Sequence, residues 1–158
     1  MSSEQQAVGK HGQKLAASHL AALGIEMLEP IGTPVTLLPV KGNRHDVFRV
    51  VFGEKVSGDH RGLLPDGSSV LIETKTVMDG NLTWSHLREH QPHRLSQHAS
   101  IGTAVSLLVW VHQSGIYVMH WTPEGVAGFG FRKSITPIRA AELDERCRAY
   151  LSERMNER

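Results

Sequence analysis

Disulfides are excluded at once: the 158-residue chain has a single cysteine, Cys147, so no internal bridge can form and a cysteine-rich zinc site cannot be assembled. That scarcity fits a reducing, intracellular setting. Long apolar runs are missing too. The longest, VSLLVWV at 105–111, is far short of the ~20 residues that span a bilayer as a helix. The opening MSSEQQAVGKHGQKL lacks the basic-then-apolar layout of a secretory signal. A soluble, cytoplasmic protein with no membrane partner is the expectation, and the NLT acceptor triplet at Asn81 carries no weight without a secretory route.

Net charge is also nearly absent, since 17 Lys and Arg face 16 Asp and Glu for a balance of +1. An acidic partner must therefore be held by a local patch and not by the overall field. Ten histidines would add positive charge on a modest fall in pH or beside a phosphate. The glycines of TPEGVAGFGF do not match a nucleotide-binding fingerprint. There is no internal repeat and no linker long enough to divide the chain. With 40% hydrophobic and 21% charged residues, residues 1–158 suit one compact domain.

Along the chain, residues 4 to 23 put Val8, Gly12, Leu15, Ala16, His19 and Leu23 on one helical stripe that stops at Gly24. Extended segments follow: TPVTLLPV from Thr33 and DVFRVVFG from Asp46, with turn residues between them. Two β-arms then flank LPDGS, and Asp-Gly is a strong hairpin signal. LTWSHLREHQPHRLSQHAS reads as a helix interrupted or restarted at Pro92, with Trp84, Leu87 and Leu95 inward. TAVSLLVWVHQSGIYVMHW gives two strands around a turn, and the run VSLLVWV suits a strand covered on both faces. A charged helix from about 138 to 155 closes the chain.

The chemistry concentrates in SGDHRGLLPDGSSVLIETKTV, residues 57–77. Centring the turn between Asp66 and Gly67 pairs residues whose numbers sum to about 133, which sets Asp59 across from Thr74 and beside Glu73 and Lys75. Alternation sends Glu73 and Lys75 to one face. Two carboxylates about one strand spacing apart repel each other unless a divalent cation sits between them. Oxygen-only ligands favour Mg²⁺, or Mn²⁺, over zinc. A lysine beside such a site can orient an attacking water or steady charge developing on a phosphate, which is the chemistry of phosphodiester hydrolysis. The plain alternative is a surface cross-strand pair with no function.

Asp59, thirteen intervening residues, then Glu73-Thr74-Lys75 resembles the signature of the PD-(D/E)XK nuclease superfamily. With LREHQPHRL downstream, it is similar to the RecU-type Holliday-junction resolvases, and the first helix is similar to that of archaeal-type resolvases. The resemblance covers roughly residues 8–121. It implies a restriction-endonuclease-like α/β core, a central mixed β-sheet flanked by helices in the order αβββαβ. Asp59, Glu73 and the Thr74 carbonyl would be metal ligands, and Lys75 would serve the attacking water. Gln91 would join from the following helix, and Gln13 would stand where the archaeal-type first helix carries a metal-binding Glu. RecU-type enzymes also have a protruding stalk, for which residues 33–45 are the candidate.

Around this centre, His60 and Arg61 are placed to touch a scissile phosphate, with a plain surface-loop pair as the alternative. Lys55, Arg44 and His90 are candidate DNA contacts, and Lys41, His45 and Arg49 add to a basic front half that outweighs Asp46 and Glu54. A metal site from His86, His90 and His93 is the weaker reading, since Pro92 disturbs their spacing. The expected function is an Mg²⁺-dependent endodeoxyribonuclease acting on branched DNA, a four-way junction by the resemblance, and working as a homodimer. Rivals are a repair, phage or restriction nuclease on the same fold, and a non-catalytic nucleic-acid-binding module.

Overall fold

The computed structural model describes residues 2–31, 35–39, 48–52, 59–126, 129–130 and 133–156. Helix α1, Ser3–Ala22, opens with a capping box in which Ser2 and Gln5 satisfy each other's backbone N–H. It closes at Gly24, whose φ of 89° lets the N–H groups of Ile25 and Gly24 turn back to Leu20 and Ala21. Ile25 and Leu20 are both buried in the same core, the apolar contact that completes this type of helix end.

Strands β1 (Glu26–Pro30), β4 (His60–Leu63), β5 (Ser69–Thr76), β7 (Val105–His112) and β8 (Gly115–Trp121) form one sheet. Between them in sequence lie β2 (Val35–Pro39) and β3 (Phe48–Phe52), and β6 (Leu82–Thr83), a 3₁₀ turn at Trp84–His86 and helix α2 (His90–Ala99). Strand β9 (Ser134–Ile135) and helix α3 (Pro137–Asn156) end the chain. The sheet order is β1-β4-β5-β7-β8. β5 and β7 run parallel, the other pairs antiparallel, and β1 joins the edge through an irregular register. β2 and β3 make a separate antiparallel ribbon. The architecture is thus α/β with a mixed sheet flanked by helices.

Every residue of β7 is buried, as expected for a central strand with helices on both faces. On one face Ile72, Leu107 and Val109 pack with Ala16 and Leu20 of α1 and Cys147 and Leu151 of α3. On the other, Leu71, Leu108 and Trp110 pack with Leu95 of α2 and Ala140 and Leu143 of α3. Helix α3 therefore spans both cores across edge strand β8. Its Asp144 accepts the Val118 N–H at 2.8 Å, so an edge-strand donor is covered instead of left open to pairing.

Several expectations need revision. The buried stripe of α1 is Gly12-Ala16-Leu20, whereas Val8 and Leu15 are exposed, because small residues bring the helix close to the sheet. The segment from Leu82 begins as strand β6, paired with β9, and α2 starts two residues before Pro92. That proline sits in the first turn, where its missing N–H costs nothing. Trp84 is only partly buried, while Trp110 and Trp121 are core. The β4–β5 register sums to 132, not 133. Gly67 donates to Leu64 and adopts a φ of 85°, so the loop is the three-residue, left-handed-glycine kind and not a two-residue turn.

Candidate active site

Strand β5 is the platform. Val70, Leu71 and Ile72 are buried as a parallel-sheet strand requires, and Glu73 is buried with them at 1% exposure. A lone carboxylate there would be strongly unfavourable. The i, i+2 alternation of the strand supplies the remedy, since Lys75 lies on the same face with its Nζ 2.9 Å from Glu73 Oε1.

Gln91 reaches the same pair from α2. Its Nε2 donates to Glu73 Oε1, while its Oε1 accepts from Lys75 Nζ and from the Arg88 N–H, both at 2.8 Å. A carboxylate only accepts and an ammonium only donates, so the amide has one possible orientation. The far end of α2 is anchored as well. Ser106 Oγ donates to the Leu95 carbonyl at 2.8 Å, which leaves it to accept from His98 Nδ1 at 2.9 Å. His98 Nε2 then takes a bond from Ser69 Oγ at 3.0 Å. Burial first, then the Arg61 charge, holds His98 below its usual pKa, in keeping with this neutral role.

Asp59 enters from the start of β4. Its N–H donates to the Ile72 carbonyl at 2.7 Å, one residue out of step with the ladder. Its carboxylate then takes the place of a strand partner: Oδ2 accepts the Thr74 N–H at 2.7 Å. Oδ1 accepts Gln13 Nε2 from α1 at 2.8 Å. A residue's N–H and C=O point to the same side of a strand, so the Thr74 carbonyl faces the β4 edge where Asp59 sits. Gln13 is brought there by Gly12, where an added Cβ would run into the Thr76 side chain.

The structure thus joins Asp59, Gln13 and the Thr74 N–H in one hydrogen-bonded set and Glu73, Lys75 and Gln91 in another, with β5 common to both. Arg61 is exposed on the adjoining strand and His90 is exposed beside Gln91. His60 is placed otherwise: at 8% exposure it faces inward opposite Ile72, and its Nδ1 has no partner. Burial outweighs the pull of Asp59 and holds its pKa below the usual value. The proposed phosphate contact at His60 therefore has no exposed ring behind it. Lys55 and Arg44 lie outside the described residues, as do Lys41, His45, Asp46 and Glu54, and the side chain of Arg49 is likewise not described. Of the stalk candidate 33–45, only 35–39 is described, as β2. His86 bonds back to Thr83, and among the described residues no three His, Cys, Asp or Glu side chains form a metal-binding group.

Sequence reading missed the His98–Ser106 anchor and a clamp in which Arg154 of α3 binds Asp66 at 2.9 Å, Ser68 at 2.7 Å and the Thr103 carbonyl. The Asp66 side chain also accepts the Ser68 N–H, and this capping of its own turn was legible in the PDGS string. The chain matches no family model and no curated protein.

Asp59, Glu73 and the Thr74 carbonyl offer oxygen donors alone, the chemistry that suits a hard divalent cation. No cysteine or histidine competes in that set. Among the described residues no helix is long and apolar enough to cross a membrane.

Proposed function

We propose that the protein is a metal-dependent DNA endonuclease with a restriction-endonuclease-like core, whose preferred substrate is branched DNA. The observation that carries this reading is the buried Glu73 carboxylate, ion-paired to Lys75 and bonded to Gln91. One strand over, Asp59 is steered to the same stretch of β5. A charged pair in an otherwise apolar strand costs stability that a purely structural strand would avoid, which supports a chemical use for it.

Asp59, Glu73 and the Thr74 carbonyl would hold Mg²⁺ or Mn²⁺. When bound, the ion supplies Lewis-acid neutralisation of charge on the phosphate. Lys75, held in place by the Gln91 oxygen, orients the attacking water and stabilises the charge that develops as it attacks. The water oxygen bonds to phosphorus as the bond to the 3′ oxygen breaks, leaving a 5′-phosphate and a 3′-hydroxyl. Helix α2 carries His90, His93 and Arg94 with no acidic residue, and Arg61 adds a cation on β4. That local excess supports contacts to phosphates despite the near-zero overall charge. Homodimerisation rests on the resemblance to junction resolvases, whose two symmetric cuts need two sites.

Cleavage of labelled four-way junction, flap and duplex DNA with Mg²⁺, Mn²⁺, Ca²⁺ or EDTA tests the proposal, run beside Lys75→Ala. Symmetric, metal-dependent nicking of the junction, lost in the variant, is the expected result. Cutting of duplex or flap with no junction preference would leave a nuclease of another kind. One observation favours a second reading, a non-catalytic DNA-binding module: both carboxylates are held by the chain's own donors. Tight DNA binding with no cutting on any substrate would select it.

A further inference from the structure

Ser69, His98 and Ser106 form one chain of hydrogen bonds between the start of β5, the end of α2 and β7, and its proton order is fixed from the buried end. Ser106 is 0% exposed, and its hydroxyl gives its only proton to the Leu95 carbonyl, a group that can only accept. His98 Nδ1 must then donate to Ser106 Oγ. The ring proton therefore sits on Nδ1, and Nε2 keeps a lone pair. Ser69 Oγ, 3.0 Å from Nε2, donates to it. Burial and the Arg61 charge favour the neutral ring that this order needs.

A hydroxyl on Nε2, with Nδ1 held by a buried third group, is the arrangement of a serine nucleophile beside its general base. Exposure follows the same order: Ser69 is exposed, His98 partly buried and Ser106 closed off. An exposed hydroxyl adds little as an anchor for α2, because water offers it an equivalent bond.

The position is separate from the site described above. Ser69 shares a face of β5 with Leu71 and Glu73, and four residues at about 3.3 Å each set it some 13 Å from Glu73. Arg61, opposite Leu71 on β4, is a diagonal neighbour of Ser69 on that face. Its guanidinium is a cation for negative charge that develops beside Ser69.

We propose that Ser69 is a nucleophile for acyl transfer from short-chain esters, with His98 as its general base and Ser106 as the residue that orients the base. Ser69 Oγ bonds to the ester carbonyl carbon while its proton passes to His98 Nε2. The tetrahedral intermediate collapses as the carbon–oxygen bond to the alcohol breaks, and the departing alkoxide takes the proton from His98. Water then attacks the acyl-serine by the same route, which releases the acid and restores both residues. Short acyl groups are the favoured class because Ser69 lies in the open, where a long chain gains little burial. The proposal is independent of the nuclease reading.

The test treats the full-length protein with a fluorophosphonate probe, maps the labelled peptide, and follows hydrolysis of p-nitrophenyl acetate. Expected is one label, on Ser69, and ester hydrolysis that falls in Ser69→Ala to the level of free histidine. His98→Ala should slow labelling about a hundredfold, and added imidazole should restore part of the rate, a recovery that a purely structural histidine would not show. Ser106→Ala should lower kcat for the ester and leave KM unchanged, since Ser106 touches no substrate. An unlabelled Ser69, labelling at an unchanged rate in His98→Ala, or equal hydrolysis by Ser69→Ala overturns the proposal.

Discussion

Glu73 carries a charge on a strand whose preceding three residues are all buried and apolar, and its partners decide what any substitution there will do. Replacing it by Ala leaves the Lys75 ammonium, 16% exposed, without its counter-charge. The expected loss is ~3 kcal/mol by denaturant unfolding. Glu73→Leu with Lys75→Met removes both charges and should recover most of that loss while abolishing metal-dependent cutting. Stability and activity would then separate, the pattern expected where a site is kept at a structural cost. The Glu-Thr-Lys run and the distant Asp were legible in the sequence because alternation and a hairpin bring them together. Gln91 was legible only through a resemblance, since nothing in EHQPH says that its amide turns inward to a carboxylate on another element.

At the scale of the element, the two glycines of α1 have opposite reasons. Gly12→Ala drives a Cβ into the Thr76 side chain and should cost about 1–3 kcal/mol as an overpacked contact. Gly9→Ala meets open space and should add up to about 1 kcal/mol from helix propensity. Thermal unfolding of the two variants reads the contrast directly. The β4–β5 loop gives a second case. Hydrogen bonds from the Ser68 backbone and hydroxyl, then from Arg154, hold the Asp66 carboxyl down to about 2 from its usual 3.8. A depressed folded-state value contributes stability above pH 3.8 that is lost as pH falls towards 2. Asp66→Asn should therefore unfold more easily than the unaltered protein at neutral pH, and the two should converge by about pH 2. The hairpin itself was readable from PDGS, but its register slipped by one because Gly67 enters the left-handed region as a third loop residue, a choice that contacts to Ser68 and Arg154 reinforce.

For the whole molecule, four histidines tie stability to pH. His19, His60, His98 and His120 all have pKa values lowered from 6.5, with burial the first cause in each. His19 accepts from Arg148, itself bound to Asp144, so protonation there sets two cations together across α1 and α3. A group with a lowered folded-state pKa takes up more protons when unfolded, so stability rises with pH through its range. Urea midpoints should accordingly climb from pH 5 to pH 7, and His19→Gln should flatten part of that slope.

The sequence by itself determined the continuous apolar runs of β5 and β7, the stop of α1 at Gly24, and the hairpin that carries Asp59 towards Glu73 and Lys75. These follow from local rules of period, turn chemistry and chirality, which neighbouring residues obey alone. Only the tertiary structure decided which face of α1 is buried, that His60 points inward, and that Gln13 and Gln91 close on the two carboxylates from opposite helices. Those choices depend on close approach between elements distant in the chain, where the fit of a glycine against a threonine, or an amide between a carboxylate and an ammonium, outweighs any pattern along one strand.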